Sequence, residues 1–140
     1  MSNNTIKKLT ILNFVIGVVL RVAIIGWMLI VLGVIEIVIR GLFLLANLLF
    51  VRNADLSNNS HRNLLFASQL TYLLGSVLAI DFGELGNSYG FLHLWQNPPE
   101  EIVYVFVGLF LVNFVISVVM IVKNTKLNRK KRLEKMESRG

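Results

Sequence analysis

The chain alternates long apolar blocks with short polar intervals. The first block runs from Leu9 to Val51 and carries Arg21, Glu36 and Arg40 within it. The second, LLFASQLTYLLGSVLAI, covers Leu64 to Ile80, and the third, IVYVFVGLFLVNFVISVVMIV, covers Ile102 to Val122. Blocks of about 20 apolar residues are the length at which a helix crosses a roughly 30 Å hydrocarbon core. Strands of a membrane barrel would alternate, whereas VFVGLFLV is apolar on both parities. The pattern predicts an all-α integral membrane protein.

The first block is too long for one crossing. As a single helix it would measure about 65 Å at 1.5 Å per residue, twice the thickness of the core. Folded back on itself it gives four transmembrane helices in two hairpins, with spans of about 9–27, 30–51, 64–80 and 102–122. These form one domain, residues 1–122, followed by a tail, 123–140. Gly26 and Gly33 give the backbone latitude near the bend, and Trp27 suits an interface. The alternative has three spans: residues 5–20 lie on the membrane surface as an interfacial helix and one long helix crosses from about Val22 to Val51.

Charge decides the orientation. The segment Asp81 to Glu101 holds Asp81, Glu84, Glu100 and Glu101 and no Lys or Arg, while the tail holds eight basic residues against Glu134 and Glu137. The tail thus accounts for the whole formal charge of +6. Lys and Arg favour the cytoplasmic side, which places the tail, the Arg52 to Arg62 loop and Lys7 and Lys8 inside and the acidic segment outside. Both termini are then cytoplasmic, in a plasma or inner membrane. The start, KKLTILNFVIGVVL, reads as a retained signal anchor, because no small-residue cleavage site follows it.

Composition agrees with the pattern. Hydrophobic residues make up 55% of the 140, above the roughly 45–50% of soluble domains. There is no cysteine, which removes disulfides and thiolate metal sites from consideration.

A charge inside a span costs roughly 2.5–3.5 kcal/mol on insertion scales, so it pairs or faces a polar interior. With the hairpin centred between Met28 and Leu29, Arg21 and Glu36 are at equal depth on neighbouring helices. Arg40, one turn beyond Glu36, shares the same carboxylate. The cluster Arg21, Glu36 and Arg40 is read first as a structural ion pair that fixes register and lets a partner dock; an ion path or charge-dependent gate is the competing reading. Gly26, Gly33, Arg40 and Asn47 fall at heptad spacing, a close-packing stripe. On the third span Ala67, Thr71 and Gly75 recur every four residues, with Ser68, Tyr72 and Ser76 one position over. On the fourth, Asn113 and Ser117 are placed to hydrogen-bond across helices, and Gly108 permits close approach.

Sites of chemistry are not indicated. His61 and His93 fall in different loops, outside the spans where haem ligands sit. The acids of the outer segment form no calcium cage, and phosphate-binding, nucleophile-elbow and metalloprotease motifs are missing. No enzyme, metal or cofactor is expected. Within the outer segment, Trp95 and the following Tyr104 read as headgroup-level anchors. Lys126, Arg129, Lys130, Lys131 and Arg132 of the tail read as a site for anionic lipid headgroups, with no nucleic acid expected. The sequence thus points to a structural or accessory subunit of a membrane assembly, with other subunits or copies of itself as partners; a homo-oligomeric channel or holin-like pore is the alternative.

Overall fold

The computed structural model describes residues 3–22, 27–82, 88–90, 95–97 and 99–138, of which 27–32, 80–82, 88–90, 95 and 100 are described in backbone only. Four helices carry the fold: α1 (Asn3–Val22), α2 (Trp27–Asn53), α3 (Asn59–Val77) and α4 (Glu100–Glu137). Between α3 and α4 the chain forms a small antiparallel meander of β1 (Ile80–Phe82), β2 (Ser88–Gly90) and β3 (Trp95–Gln96). Ile80 pairs with Gly90, Phe82 with Ser88, and Tyr89 with Gln96. These strands were not expected, since two or three residues are too few to show a period of two.

The helices run up, down, up, down. Thr10 lies level with Gln69, and Phe14 with Tyr72, so α1 and α3 are parallel. Arg40 meets Ser76 while Asn47 meets Ser68, so α2 opposes α3. Asn113 meets Ser68 and Thr71 while Gly75 abuts Leu109, so α4 also opposes α3. α1 and α4 each pack on both α2 and α3, whose own backbones make the sparsest contact of these pairs. Long polar side chains bridge that α2–α3 diagonal.

Interior positions recur every three, four or seven residues. They are Thr10, Gly17 and Arg21 on α1, and Gly33, Glu36, Arg40, Phe43, Asn47 and Phe50 on α2, with Ala54 just past its end. Phe106, Asn113, Ser117, Met120 and Asn124 continue the pattern on α4. This is the seam spacing of helices packed at shallow angles. The heptad stripe of Gly33, Arg40 and Asn47 therefore faces the bundle interior, while Gly26 lies outside the described residues. No bend falls between Met28 and Leu29, where one was expected, because both residues are already helical in α2.

One apolar cluster closes the end of the bundle where α2 passes to α3. It joins Ala46, Phe50, Val51 and Ala54 to Leu65 and Met120. Beyond it Asn58 caps α3, accepting a hydrogen bond from the Ser60 amide. α4 is unbroken for 38 residues, about 57 Å, so the basic tail continues the same helix.

Candidate functional site

The polar side chains inside the bundle form three layers. The first is built on Glu36, whose two carboxylate oxygens go to different arginines. Arg21 Nε donates to Oε2 at 2.7 Å, and Arg40 donates to Oε1 from Nε at 3.0 Å and from its terminal nitrogen at 2.7 Å. All three residues are buried. The second terminal nitrogen of Arg40 donates to Tyr72 Oη and Ser76 Oγ, each at 3.1 Å. The Arg40 guanidinium also lies 5.5 Å from the Tyr72 ring centre and 5.7 Å from that of Phe110, within cation–π range. Tyr72 Oη in turn donates to the Phe14 carbonyl at 3.3 Å.

Gly17 makes room for this layer. A Cβ there would fall 2.5 Å from Tyr72 Oη and 2.8 Å from Ser76 Oγ, closer than atoms tolerate. The absence of a side chain on α1 thus lets two hydroxyls from α3 reach Arg40 on α2.

The second layer is uncharged. Gln69 Nε2 donates to Thr10 Oγ1 at 2.9 Å and to Asn47 Oδ1 at 3.0 Å, while Gln69 Oε1 accepts from Asn13 at 2.7 Å. Asn47 donates to Ser68 Oγ at 2.9 Å, and Asn113 donates to the Ser68 carbonyl at 2.9 Å and to Thr71 Oγ1 at 3.0 Å. The layer therefore ties all four helices together. Two atoms in it, Asn113 Oδ1 and Ser117 Oγ, are buried without a hydrogen-bond partner among the described residues.

The third layer lies beneath the apolar cluster. Asn53 donates to Asn124 Oδ1 at 2.6 Å, and Lys131 Nζ donates to the Asn53 carbonyl at 2.9 Å. Lys131 thus satisfies a terminal carbonyl of α2 and places a cation at the negative end of that helix dipole.

Apolar side chains separate the layers. Phe43 stacks on Tyr72 with ring centres 3.8 Å apart and planes 5° from parallel. Phe50, Val51 and Met120 are fully buried between the second layer and the third.

The sequence-derived residues divide accordingly. Arg21, Glu36 and Arg40 form one cluster, as their spacing implied. Ser68, Tyr72 and Ser76 face α1 and α2, whereas Thr71 and Gly75 face α4, with Ala67 half-buried beside them. Asn113 bridges helices, but Ser117 does not. Gly108 does not mark a close approach, since a Cβ there would meet nothing within 4 Å. Lys126, Arg129, Lys130 and Arg132 are exposed on the helical tail, and Lys131 departs from the set by docking on α2. Trp95 is described in backbone only, His93 lies outside the described residues, and Tyr104 is exposed. His61, expected in a loop, lies in the first turn of α3, and its Nδ1 donates to the Asp55 carbonyl at 2.9 Å.

Thr10, Asn13, Gly17, Gln69, Asn53 and Asn124 were not singled out from sequence. Thr10, Asn13, Gly17 and Arg21 nevertheless follow one another at intervals of three or four, and that stripe was the available signal. Comparison with family models, curated proteins and solved structures finds no match.

Proposed function

We propose that this chain is a non-enzymatic integral membrane protein that crosses the bilayer four times as two hairpins and serves as a structural or accessory subunit of a membrane assembly. The observation that carries this reading is inverted polarity. Val34 is 77% exposed, Ile37 69%, Phe66 66% and Val115 58%, whereas Arg21, Glu36, Arg40, Asn47, Ser68 and Asn113 are buried. A chain folding in water would do the reverse, because burial of apolar area is its main driving force. In lipid no such force acts between helices, and packing with interhelical hydrogen bonds takes over.

Two helices, Gly33–Asn53 and Glu101–Glu137, are long and apolar enough to cross a membrane. Only 39% and 22% of their apolar windows are buried, unlike the largely enclosed core helix of a soluble protein. Support for four crossings comes from α1, which contributes Thr10, Gly17 and Arg21 to the interior. A continuous helix through this region would hold Arg21 and Glu36 about 22 Å apart along its axis; their side chains meet at 2.7 Å. Support for the orientation comes from the distribution of Lys and Arg.

Internal hydrogen bonds occupy most polar groups of the three layers, which suits a scaffold. The pore reading requires a path shared between copies, because Phe43 and the Phe50–Val51–Met120 plug interrupt the polar layers within one. The deciding experiment is extraction followed by purification in mild detergent. The protein resists alkaline carbonate and leaves the membrane with a fixed, small complement of other chains. Release by carbonate contradicts the membrane placement, and a large closed ring that conducts ions replaces the subunit reading with the pore.

A further inference from the structure

One groove on the outside of the bundle is basic at one end and apolar along the rest. It lies between α1 and α3, has a volume of about 380 Å³, and is walled by Ile6, Leu9, Phe66, Leu70 and Leu73, with Arg62 at its end. Asn13 and Gln69 also line it and hydrogen-bond each other. Arg62 is exposed and donates to the neighbouring Asn59 carboxamide at 2.9 Å, and no carboxylate pairs with it among the described residues. Lys7 and Lys8 stand toward the same end on α1, also without an ion pair among the described residues. Neither helix carries an acid in its first turn.

The length of the groove fits a single leaflet. Leu73 lies eleven residues beyond Arg62 on α3, about 16 Å at 1.5 Å per residue, which is half of a roughly 30 Å hydrocarbon core. Arg62 and the starts of the parallel helices α1 and α3 belong to the end placed on the cytoplasmic side by the distribution of Lys and Arg. The groove therefore begins at the headgroups of the cytoplasmic leaflet and ends near the middle of the membrane.

We infer that the α1–α3 groove holds one anionic phospholipid of the cytoplasmic leaflet, with its phosphate on Arg62 and one acyl chain along Leu9, Phe66, Leu70 and Leu73. The inference rests on the membrane placement proposed above. Charge at one end and apolar walls along the rest select the occupant together. A guanidinium matches a phosphate in charge and in bidentate geometry, and an acyl chain covers Phe66 and Leu70, 66% and 42% exposed. A free phosphate would leave those walls bare, and a neutral lipid would leave Arg62 without a counter-charge. A second copy related by a two-fold axis along the membrane normal would bring two Arg62 and two Lys8 toward each other at the same depth, like charge against like. The basic tail of α4 takes no part in the groove.

The test uses the full chain, which contains no cysteine, reconstituted in vesicles of phosphatidylcholine and phosphatidylglycerol. A fluorophore is attached to Leu70→Cys at the groove or to Val115→Cys on the exposed face of α4, and its quenching is followed as a brominated form of either lipid replaces the plain one. The probe at 70 reports a preference for phosphatidylglycerol of about fivefold, the effect of one basic residue at an anionic headgroup. Arg62→Gln, a change at an exposed side chain, removes the preference and Arg62→Lys keeps most of it, while the probe at 115 reports none. Equal preference at 70 and 115, or a preference that survives Arg62→Gln, overturns the inference. Absence of quenching at 70 by either lipid, with a second copy or another chain shielding the groove, also overturns it and leaves the subunit reading standing. Release by alkaline carbonate would instead fail the membrane placement, so the two failures are distinguishable.

Discussion

Arg21 and Glu36, fifteen residues apart in sequence, meet with Nε and Oε2 2.7 Å apart inside the bundle. That contact sets the register of α1 against α2. It also leaves the other carboxylate oxygen for Arg40, whose remaining donors reach the α3 hydroxyls. Removing Glu36 takes the carboxylate from two buried guanidiniums at once, and losing one partner of a buried ion pair costs roughly 3–5 kcal/mol. Glu36→Gln is therefore expected to be the most damaging single change in the cluster. Arg21→Gln should cost less, because Arg40 keeps the carboxylate. In a thermal-stability cycle, positions 21 and 36 should couple by more than about 0.5 kcal/mol; strict additivity would mean the contact contributes nothing.

Gly17 and Gly41 give a paired test of packing. A methyl group at 17 collides with Tyr72 and Ser76, and at 41 it meets nothing within 4 Å. Gly17→Ala should destabilise by about 1–3 kcal/mol, the usual cost of overpacking. Gly41→Ala should be neutral or stabilising by up to about 1 kcal/mol through helix propensity. Unfolding in detergent reads both.

The first of these relationships was legible in the sequence and the second was not. A charge in an apolar run is rare enough to demand a partner, and folding the Leu9–Val51 block back on itself supplied Glu36 for Arg21, although the bend does not fall between Met28 and Leu29, where the equal-depth argument put it. The helical class, the stripe through Arg40 and Asn47, and the bridging role of Asn113 followed from spacing in the same way. Gly17 was hidden because its importance depends on α3 running parallel to α1, which nothing local to VIGVV encodes. Asn13, Thr10 and Gln69 were missed for the same reason: their bonds join residues 56 and 59 positions apart. Gly108 misled in the opposite direction, as glycine allows a close approach without requiring one.

Asn113 and Ser117 should respond oppositely to truncation. Asn113→Leu leaves the Ser68 carbonyl and Thr71 hydroxyl without its donor, a loss of about 1–3 kcal/mol. Ser117 Oγ has no hydrogen-bond partner among the described residues, so Ser117→Ala should leave stability unchanged or raise it. A clear loss on Ser117→Ala would show that the hydroxyl is hydrogen-bonded in the membrane.

Acid should loosen the α2–α3 connection. The Asp55 carboxylate accepts hydrogen bonds from the Ser57 amide and hydroxyl, and these hold its pKa below the ordinary aspartate value, the amide contributing most. A lowered pKa means that stabilisation is present above the ordinary value, about pH 4, and is lost as pH falls through the folded one. A carboxylate titration followed by NMR should show Asp55 protonating later than a free aspartate as acid is added, with the Ser57 amide shifting in step. Asp55→Asn should abolish that shift.

Four crossings with an inverted interior are the centre of this account, and accessibility of single cysteines tests them most directly. Cysteine would be introduced separately at Asn4, Asn59, Gln96 and Lys135, then probed with a membrane-impermeant thiol reagent in intact cells and after permeabilisation. Labelling from outside is expected at position 96 alone, with positions 4, 59 and 135 labelled only once the membrane is opened. Labelling of position 4 from outside, with 59 and 135 still protected, would contradict it, because α1 would then not cross.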